Sequence, residues 1–300
     1  MINNSIRSIK YYLSEHPIVV NFQWSPIHTW FSTWSFLLLT VSSYIILSLF
    51  LHHSLNLLLR DRRRFRFPLG PIPSLHNLLL SLISAAIFAG TLLSAISEIR
   101  DNTRWLWRST HLRTTPAKWL LCFPPGTRPT GRVFFWSYIF YLSRLFLHLP
   151  RTFFKILKRR RITFFHLLNQ SSLLVMAFLW LEFSQSFQVL AIMLLTLLYS
   201  IVYGYRFWVE IGLPRPEFPF VVNCQVVMLV CNLGIHFGVL LLHFFSGNKG
   251  GCNGIGAWIF NSLCNAIILL LFFKDFKKRF STTLLDDDAS THTSRFLKQD

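Results

Sequence analysis

Apolar residues run in long blocks along this chain rather than at every second or fourth position. Crossing about 30 Å of hydrocarbon takes about 20 helical residues. Seven stretches meet or approach that length: 29–53, 75–97, 133–156, 164–183, 185–208, 218–245 and 254–275. The pattern predicts an all-α, polytopic membrane protein with seven transmembrane helices. The third stretch is the least regular, because Arg144, His148, Pro150 and Arg151 interrupt it, and Pro150 predicts a kink. Residues 1–28 hold Arg7, Lys10, Glu15, His16 and two prolines but no apolar core of a cleavable signal peptide. No internal repeat is visible, so residues 1–280 read as a single membrane domain. The polar tail 281–300 is predicted to be disordered.

Composition agrees. The 300 residues are 52% hydrophobic, with 31 Phe, and mean hydropathy is +0.44, too apolar for an ordinary soluble domain. The formal net charge is +18, from 30 Lys+Arg against 12 Asp+Glu. Much of the excess sits in short runs between apolar stretches, RDRRRFR (60–66), KILKRRR (155–161) and KDFKKR (274–279). Clustered juxtamembrane basics are a topology signal and argue against a nucleic-acid partner. With seven spans all three runs share the side of the C-terminus, which predicts a cytosolic C-terminus and a lumenal N-terminus. The 98–132 loop, with seven Lys and Arg, is the competing signal.

Five cysteines are too few for a disulfide scaffold, and no CxxC spacing suggests a metal. Under this topology Cys122 and Cys252 both fall in lumenal loops, where oxidising conditions let disulfides persist. From topology alone, a bridge and two free thiols both remain open.

The candidate chemistry lies at membrane depth. His166, Asn169 and Gln170 stand at i, i+3 and i+4 on the fourth stretch, Arg144 and His148 on the third, and Tyr199, Tyr203, Tyr205 and Arg206 at the end of the fifth. The sixth carries Asn223, Gln225, Asn232 and His236, the seventh Asn261 and Asn265. Unpaired polar groups cost several kcal/mol in hydrocarbon, so such residues either glue helices together or mark a site. At 1.5 Å per residue, Asn169 lies roughly 8 Å from the cytosolic end of its span, Tyr199 roughly 13 Å and Gln225 roughly 10 Å. The convergence favours a shared site for a ligand with an oily tail and a polar head. The basic runs at its mouth are suited to phosphates, or act only as topology-setting charge.

The order of elements resembles the fatty-acid elongases of the endoplasmic reticulum, most closely their plant branch. The resemblance runs through LSEHPIVVNFQW (13–24), FFWSYIFYLSR (134–144), VYGYRFWVEIG (202–212), NCQVV (223–227) and CNGIGAWIFNSLCNA (252–266). It implies seven helices, six of them forming a barrel around an acyl tunnel. It also implies condensation of acyl-CoA with malonyl-CoA to a 3-oxoacyl-CoA without a cofactor or metal, and a lumenal disulfide between Cys122 and Cys252. Membrane lipid, other elongation-cycle enzymes and a second copy of the chain are the implied partners.

The same comparison exposes departures. The family's HxxHH box reads His166, Leu167, Leu168, Asn169, Gln170; the histidine of the next helix is Tyr199, and its motif keeps Tyr203 and Tyr205 but ends in Arg206. KxxExxDT falls on Arg144, Leu147, Pro150 and Arg151, without carboxylates, and QxxQ keeps only Gln225, with Met228 in the second place. Imidazole attacks thioesters and relays protons; a carboxamide only donates and accepts hydrogen bonds. The candidate catalytic set is thus His166, Asn169, Gln170, Tyr199 and Tyr203. The candidate substrate-binding set is Arg144, Gln225, Asn261, Tyr205 and Arg206. Two functions fit: an elongase working through His166 and amide donors, or a catalytically impaired paralogue that binds acyl-CoA and regulates the elongation machinery. A receptor or transporter fits less well, for no Gly/Pro-broken half-helices recur in matching positions.

Overall fold

A computed structural model describes residues 7–58, 70–106, 116–159, 163–213, 220–245 and 251–271, without the side chains of 102–118, 220–222 and 225. The basic runs 60–66 and 274–279, part of 155–161 and the tail 281–300 lie outside the described residues. Among the described residues nine helices carry the fold: α1 Trp34–Leu58, α2 Ile72–Leu106, α3 Pro116–Leu121, α4 Arg132–Ser143, α5 Pro150–Leu157, α6 Phe164–Glu182, α7 Gln188–Glu210, α8 Phe220–Phe245 and α9 Ile255–Leu271. A π-turn, Tyr11–Glu15, and a helical turn, Pro17–Val20, precede them. Among the described residues the only β pairing is the isolated bridge Gln23 to Thr130.

Among the described residues five helical segments are long and apolar enough to cross a membrane: Trp34–Leu58, Ile72–Asp101, Phe164–Glu182, Gln188–Glu210 and Val226–Phe245. The last predicted stretch appears as the shorter apolar helix α9, described as far as Leu271. The third is helical but not continuous. Between α4 and α5 a π-turn, Arg144–His148, closes with Leu149 N–H donating to Arg144 O at 3.2 Å. Pro150 has no N–H to offer, and it restarts the helix at the first position of α5, where proline is tolerated. The irregularity expected at Pro150 is thus absorbed in the turn before it, which rotates Arg144 and His148 inward; both are buried.

Small residues let the central helices approach. α2 packs most closely along α7, antiparallel, with Ser81 Oγ donating to Ser200 O at 2.8 Å. Gly204, one turn on, would bring any Cβ to 3.2 Å from that same Ser81 Oγ. Close small-residue contact of this kind substitutes for the hydrophobic driving force that is missing in lipid. On the other face of α2, Gly90 lies under the ring of Trp136 on α4 with no room for a Cβ. Trp136 Nε1 donates to Leu13 O at 2.8 Å, drawing the N-terminal segment onto the bundle.

One end of the bundle is laced shut. Cys122 and Cys252 form a disulfide across 130 residues of sequence. Beside it, Asn253 Nδ2 donates to Phe183 O and Ser184 O at 3.0 and 3.1 Å, and Asn253 N–H to Phe123 O at 2.9 Å. Ser186 Oγ accepts from Phe123 N–H and donates to Asn253 O. Gly254 adopts φ +69° with Gln185 Cα 2.9 Å from where a Cβ would sit, so only glycine fits. The α3, α6–α7 and α8–α9 connections are therefore held together.

Two outcomes follow from this packing. Gly90→Val should lower stability by about 1–3 kcal/mol through overpacking against Trp136, read as a lower thermal midpoint in detergent. Cys122→Ser should cost about 2–4 kcal/mol and abolish the mobility difference between reduced and oxidised protein on a denaturing gel.

Candidate functional site

Helix α6 begins where Thr163 caps it, its side chain accepting His166 N–H at 3.3 Å. From there, residues 166, 169 and 170 fan over about 100° of the helix at 3.6 residues per turn, and the structure sends each to a different neighbour. Asn169 faces a cavity between α6, α7, α8 and α9. Gln170 turns to the π-turn, where its Oε1 accepts from Arg144 Nη2 at 2.6 Å. His166 turns toward α5: its Nε2 lies 3.1 Å from Thr152 Oγ1, and Lys155 Nζ lies 3.2 and 3.3 Å from the two ring nitrogens. Thr152 Oγ1 is in turn 2.8 Å from Tyr44 OH on α1. The surviving box histidine is thus built into a packing seam and does not line the cavity.

Arg144 is the centre of the arrangement. Its side chain is 1% exposed, and Nη1 donates to Tyr199 OH at 3.3 Å, the guanidinium lying 5.5 Å from that ring. Since Tyr199 OH accepts from Arg144, its own proton is directed elsewhere, and Tyr199 borders the cavity. His148 packs against Tyr199 and Tyr203 with ring centroids 4.9 and 5.6 Å away. Its Nδ1 lies 3.1 Å from Ser143 O, while Nε2 is buried with no partner. A ring nitrogen facing a carbonyl carries the proton, so Nε2 presents a lone pair.

The cavity, about 300 Å³, is at the small end of ligand pockets. Leucines, methionines and aromatics make most of its wall, and four polar side chains enter it, Asn169, Tyr199, Asn232 and Asn265. Counting 1.5 Å per residue from the laced end, these lie about 20, 17, 20 and 15 Å up α6, α7, α8 and α9: a polar girdle at one depth. Asn265 Nδ2 is 3.0 Å from His236 Nε2. The sequence shows Asn232 and Asn265 as polar residues at depth but gives no sign that they share a level with Asn169, because that depends on where each helix starts.

Beyond the girdle, away from the laced end, lies a second cavity of about 350 Å³. Arg151, Lys155, Lys158 and Arg206 line it, with His76, Tyr205 and Glu210. Arg151 Nη1 donates to Tyr203 OH at 2.8 Å, and Arg206 lies 5.7 Å over the same ring. Lys158 Nζ pairs with Glu210 Oε1 at 3.4 Å, and Glu210 Oε2 also accepts from Asn77 Nδ2 at 2.7 Å.

The predicted site residues are therefore divided. Asn169 and Tyr199 meet at the apolar cavity; Tyr205 and Arg206 meet at the basic one; Arg144, Gln170 and Tyr203 form the partition between them. Asn261 lies toward the laced end, bonded to Gln185 Oε1 at 2.6 Å. Gln225 belongs to α8, but its side chain lies outside the described residues.

The GNS1/SUR4 (ELO) family model matches residues 29–284. The chain belongs to the ELO family. It is similar to "Fatty acid elongase 3-like" of Arabidopsis thaliana, 58% identical over 89% of this chain and 90% of that protein. It also resembles "Putative fatty acid elongase DDB_G0272012" of Dictyostelium discoideum, 24% identical over 94% of this chain and 88% of that one. "Fatty acid elongase A" of the same organism is 22% identical, over 89% and 93%. No solved structure matches the chain. As a family of membrane proteins, elongases agree with the apolar helices described above.

Restoring the family histidines is not a neutral edit in this protein, because Gln170 and Tyr199 are the partners that hold a buried guanidinium. Gln170→Leu should cost about 3 kcal/mol, the penalty for stripping a charged donor of its acceptor. Gln170→Leu combined with Arg144→Leu should recover part of that loss, giving a coupling term in a double-mutant cycle of thermal midpoints. Additive losses would show that the pair is energetically idle.

Proposed function

We propose that this ELO protein is a very-long-chain 3-oxoacyl-CoA synthase of the endoplasmic reticulum membrane. All seven apolar stretches cross the bilayer, six of them surrounding the acyl chain, with the basic cavity facing the cytosol and the disulfide in the lumen. The observation that carries the reading is the pairing of an apolar cavity with a basic one across the Arg144 partition. An acyl-CoA has that shape, with an oily tail, a thioester in the middle and phosphates at the other end. The girdle of Asn169, Tyr199, Asn232 and Asn265 falls at the thioester, and Arg151, Lys155 and Arg206 are suited to the phosphates.

The chemistry suits a girdle of neutral donors. Malonyl-CoA loses its carboxylate as carbon dioxide, and the electron pair left behind makes the enolate that attacks the acyl carbonyl. A carbon–carbon bond forms, the acyl carbon–sulfur bond breaks, and CoA departs as a thiolate that takes up a proton. Generating the carbanion this way requires no base; what needs stabilising is negative charge on oxygen. Tyr199 OH, polarised by Arg144, and the Asn169 amide supply that as preorganised donors.

A second reading is favoured by His166, whose two nitrogens are engaged by Thr152 and Lys155 rather than turned to the cavity. In that reading the protein binds acyl-CoA without turnover and acts as a partner of other elongation enzymes. Expression in elongase-deficient cells, with acyl-chain profiling and labelled malonyl-CoA incorporation in membranes, separates the two. Longer chains, lowered on the order of 10²–10³-fold by Tyr199→Phe, support the synthase. Labelling by a photo-crosslinkable acyl-CoA with unchanged chain lengths supports the binding partner, and absence of labelling removes both. Arg151→Gln with Lys155→Gln should weaken acyl-CoA binding most at low salt, because ionic strength screens the lost attraction.

A further inference from the structure

The apolar cavity is plugged toward the laced end. Its lining residues nearest that end are Trp180 on α6 and Phe187 at the start of α7. They are 3% and 1% exposed, with ring centroids 6.3 Å apart. A chain descending past the girdle meets these rings and no outlet. From Tyr199 to Phe187 along α7 is about 18 Å at 1.5 Å per residue, and the cavity volume of about 300 Å³ suits only a small ligand. A very-long-chain acyl tail needs more room.

That room lies to one side. An apolar groove of about 490 Å³ runs between α2, α3, α7 and α8, with no charged side chain in its wall. Leu194 on α7 and Ile235 on α8 line both the groove and the cavity. At this place the wall between the two spaces is one side chain thick. The pair stands about 9 and 15 Å from the laced end, below the girdle and above the aromatic plug. Neither side chain carries a polar atom, so a change of rotamer opens the wall without breaking a side-chain hydrogen bond.

Gly234 marks the groove as space that is kept open. It lines the groove and lacks the positive φ that would require glycine, yet a Cβ there would meet nothing within 4 Å. Glycine inside a helix is unfavourable relative to alanine, and here no packing partner accounts for it. Gly238, one turn on, differs: a Cβ there would meet Leu121 at 3.4 Å, so its smallness serves contact with α3.

We propose that the groove is a side branch of the acyl site, taking the methyl end of chains too long for the cavity after they pass between Leu194 and Ile235. This rests on the reading of the cavity as the seat of an acyl tail. The occupant is the far end of the substrate's own hydrocarbon chain, because the groove adjoins the cavity through that shared pair and is apolar throughout. Leu194 and Ile235 are then specificity-determining residues, whose bulk sets the length at which a tail turns aside.

The test uses the purified full-length protein in detergent with lauroyl-CoA and lignoceroyl-CoA, each carrying a photoreactive diazirine at its methyl end. Among the described residues α2 contributes nothing to the cavity wall, whereas Phe88 and Leu92 line the groove, so the labelled helix reports where the chain ends. The lignoceroyl probe should label α2 around Phe88 and Leu92; the shorter lauroyl probe should label α6 and α7 near Trp180 and Phe187 instead. Gly234→Leu, which puts a side chain into the groove, should lower the affinity for lignoceroyl-CoA relative to lauroyl-CoA about tenfold, the worth of burying about two methylene groups. Leu92→Trp fills the same groove from α2 and serves as a second variant if leucine at 234 perturbs folding. Lignoceroyl labelling confined to α6–α9, equal labelling of α2 by both probes, or an affinity ratio that survives both substitutions overturns the proposal. So does labelling of α2 by a diazirine phosphatidylcholine that excess lignoceroyl-CoA does not displace, which would show a groove filled by membrane lipid. If neither acyl-CoA probe labels cavity or groove, the acyl-chain reading of the cavity fails as well, an outcome distinct from lignoceroyl labelling confined to α6–α9.

Discussion

A guanidinium buried inside a helical bundle, with no acidic side chain among its hydrogen-bond partners, has to be held by neutral ones, and Arg144 is held by Gln170 and Tyr199. Those two contacts come from α6 and α7, while Arg144 comes from the turn between α4 and α5. Three parts of the chain are thereby tied at one depth. The cost of a buried charge without partners, several kcal/mol, makes this the contact least able to slip. The apolar cavity on one side and the basic cavity on the other are what remains once the partition is in place.

Arg144 also accounts for the departures at the box. Gln170 serves as an acceptor for a permanent cation, a task that histidine performs only in its neutral form and with one nitrogen. Tyr199 accepts from Arg144 and still has a proton to give, which an imidazole with one nitrogen accepting and the other donating offers only along a different direction. The Gln170 amide and the Tyr199 phenol are therefore coherent with each other around a cation; they are not isolated losses from a family pattern. Lys155 beside His166 adds a further positive charge close to the same partition.

Much of this was legible in the sequence. Long apolar blocks located the helices, because hydropathy over a membrane thickness is a strong signal, although α2 runs on to Leu106, past the predicted end at 97, into a polar segment that hydropathy does not mark. Arg144, His148 and Pro150 marked the one discontinuous stretch, though not that a π-turn would carry the interruption. The Cys122–Cys252 pairing came from resemblance, and the structure forms it. Harder to see was the splitting of His166, Asn169 and Gln170. A helical face spans about 100° there, enough for three different neighbours, and one-dimensional spacing does not say which neighbour is where. Asn253 and Gln185 gave no signal at all, since polar residues in short connections look alike until the connections are brought together.

The lacing at one end has a mechanical meaning. The disulfide, Asn253 and Ser186 make a rigid base there, and among the described residues side chains such as Lys158 and Asn77 on Glu210 join helices at the opposite end. A bundle clamped at its base holds the spacing of its helices there, so the end where the charged residues stand is set apart from it by the length of the helices. Because the clamped end does not yield, the distance from it to the girdle is a fixed ruler.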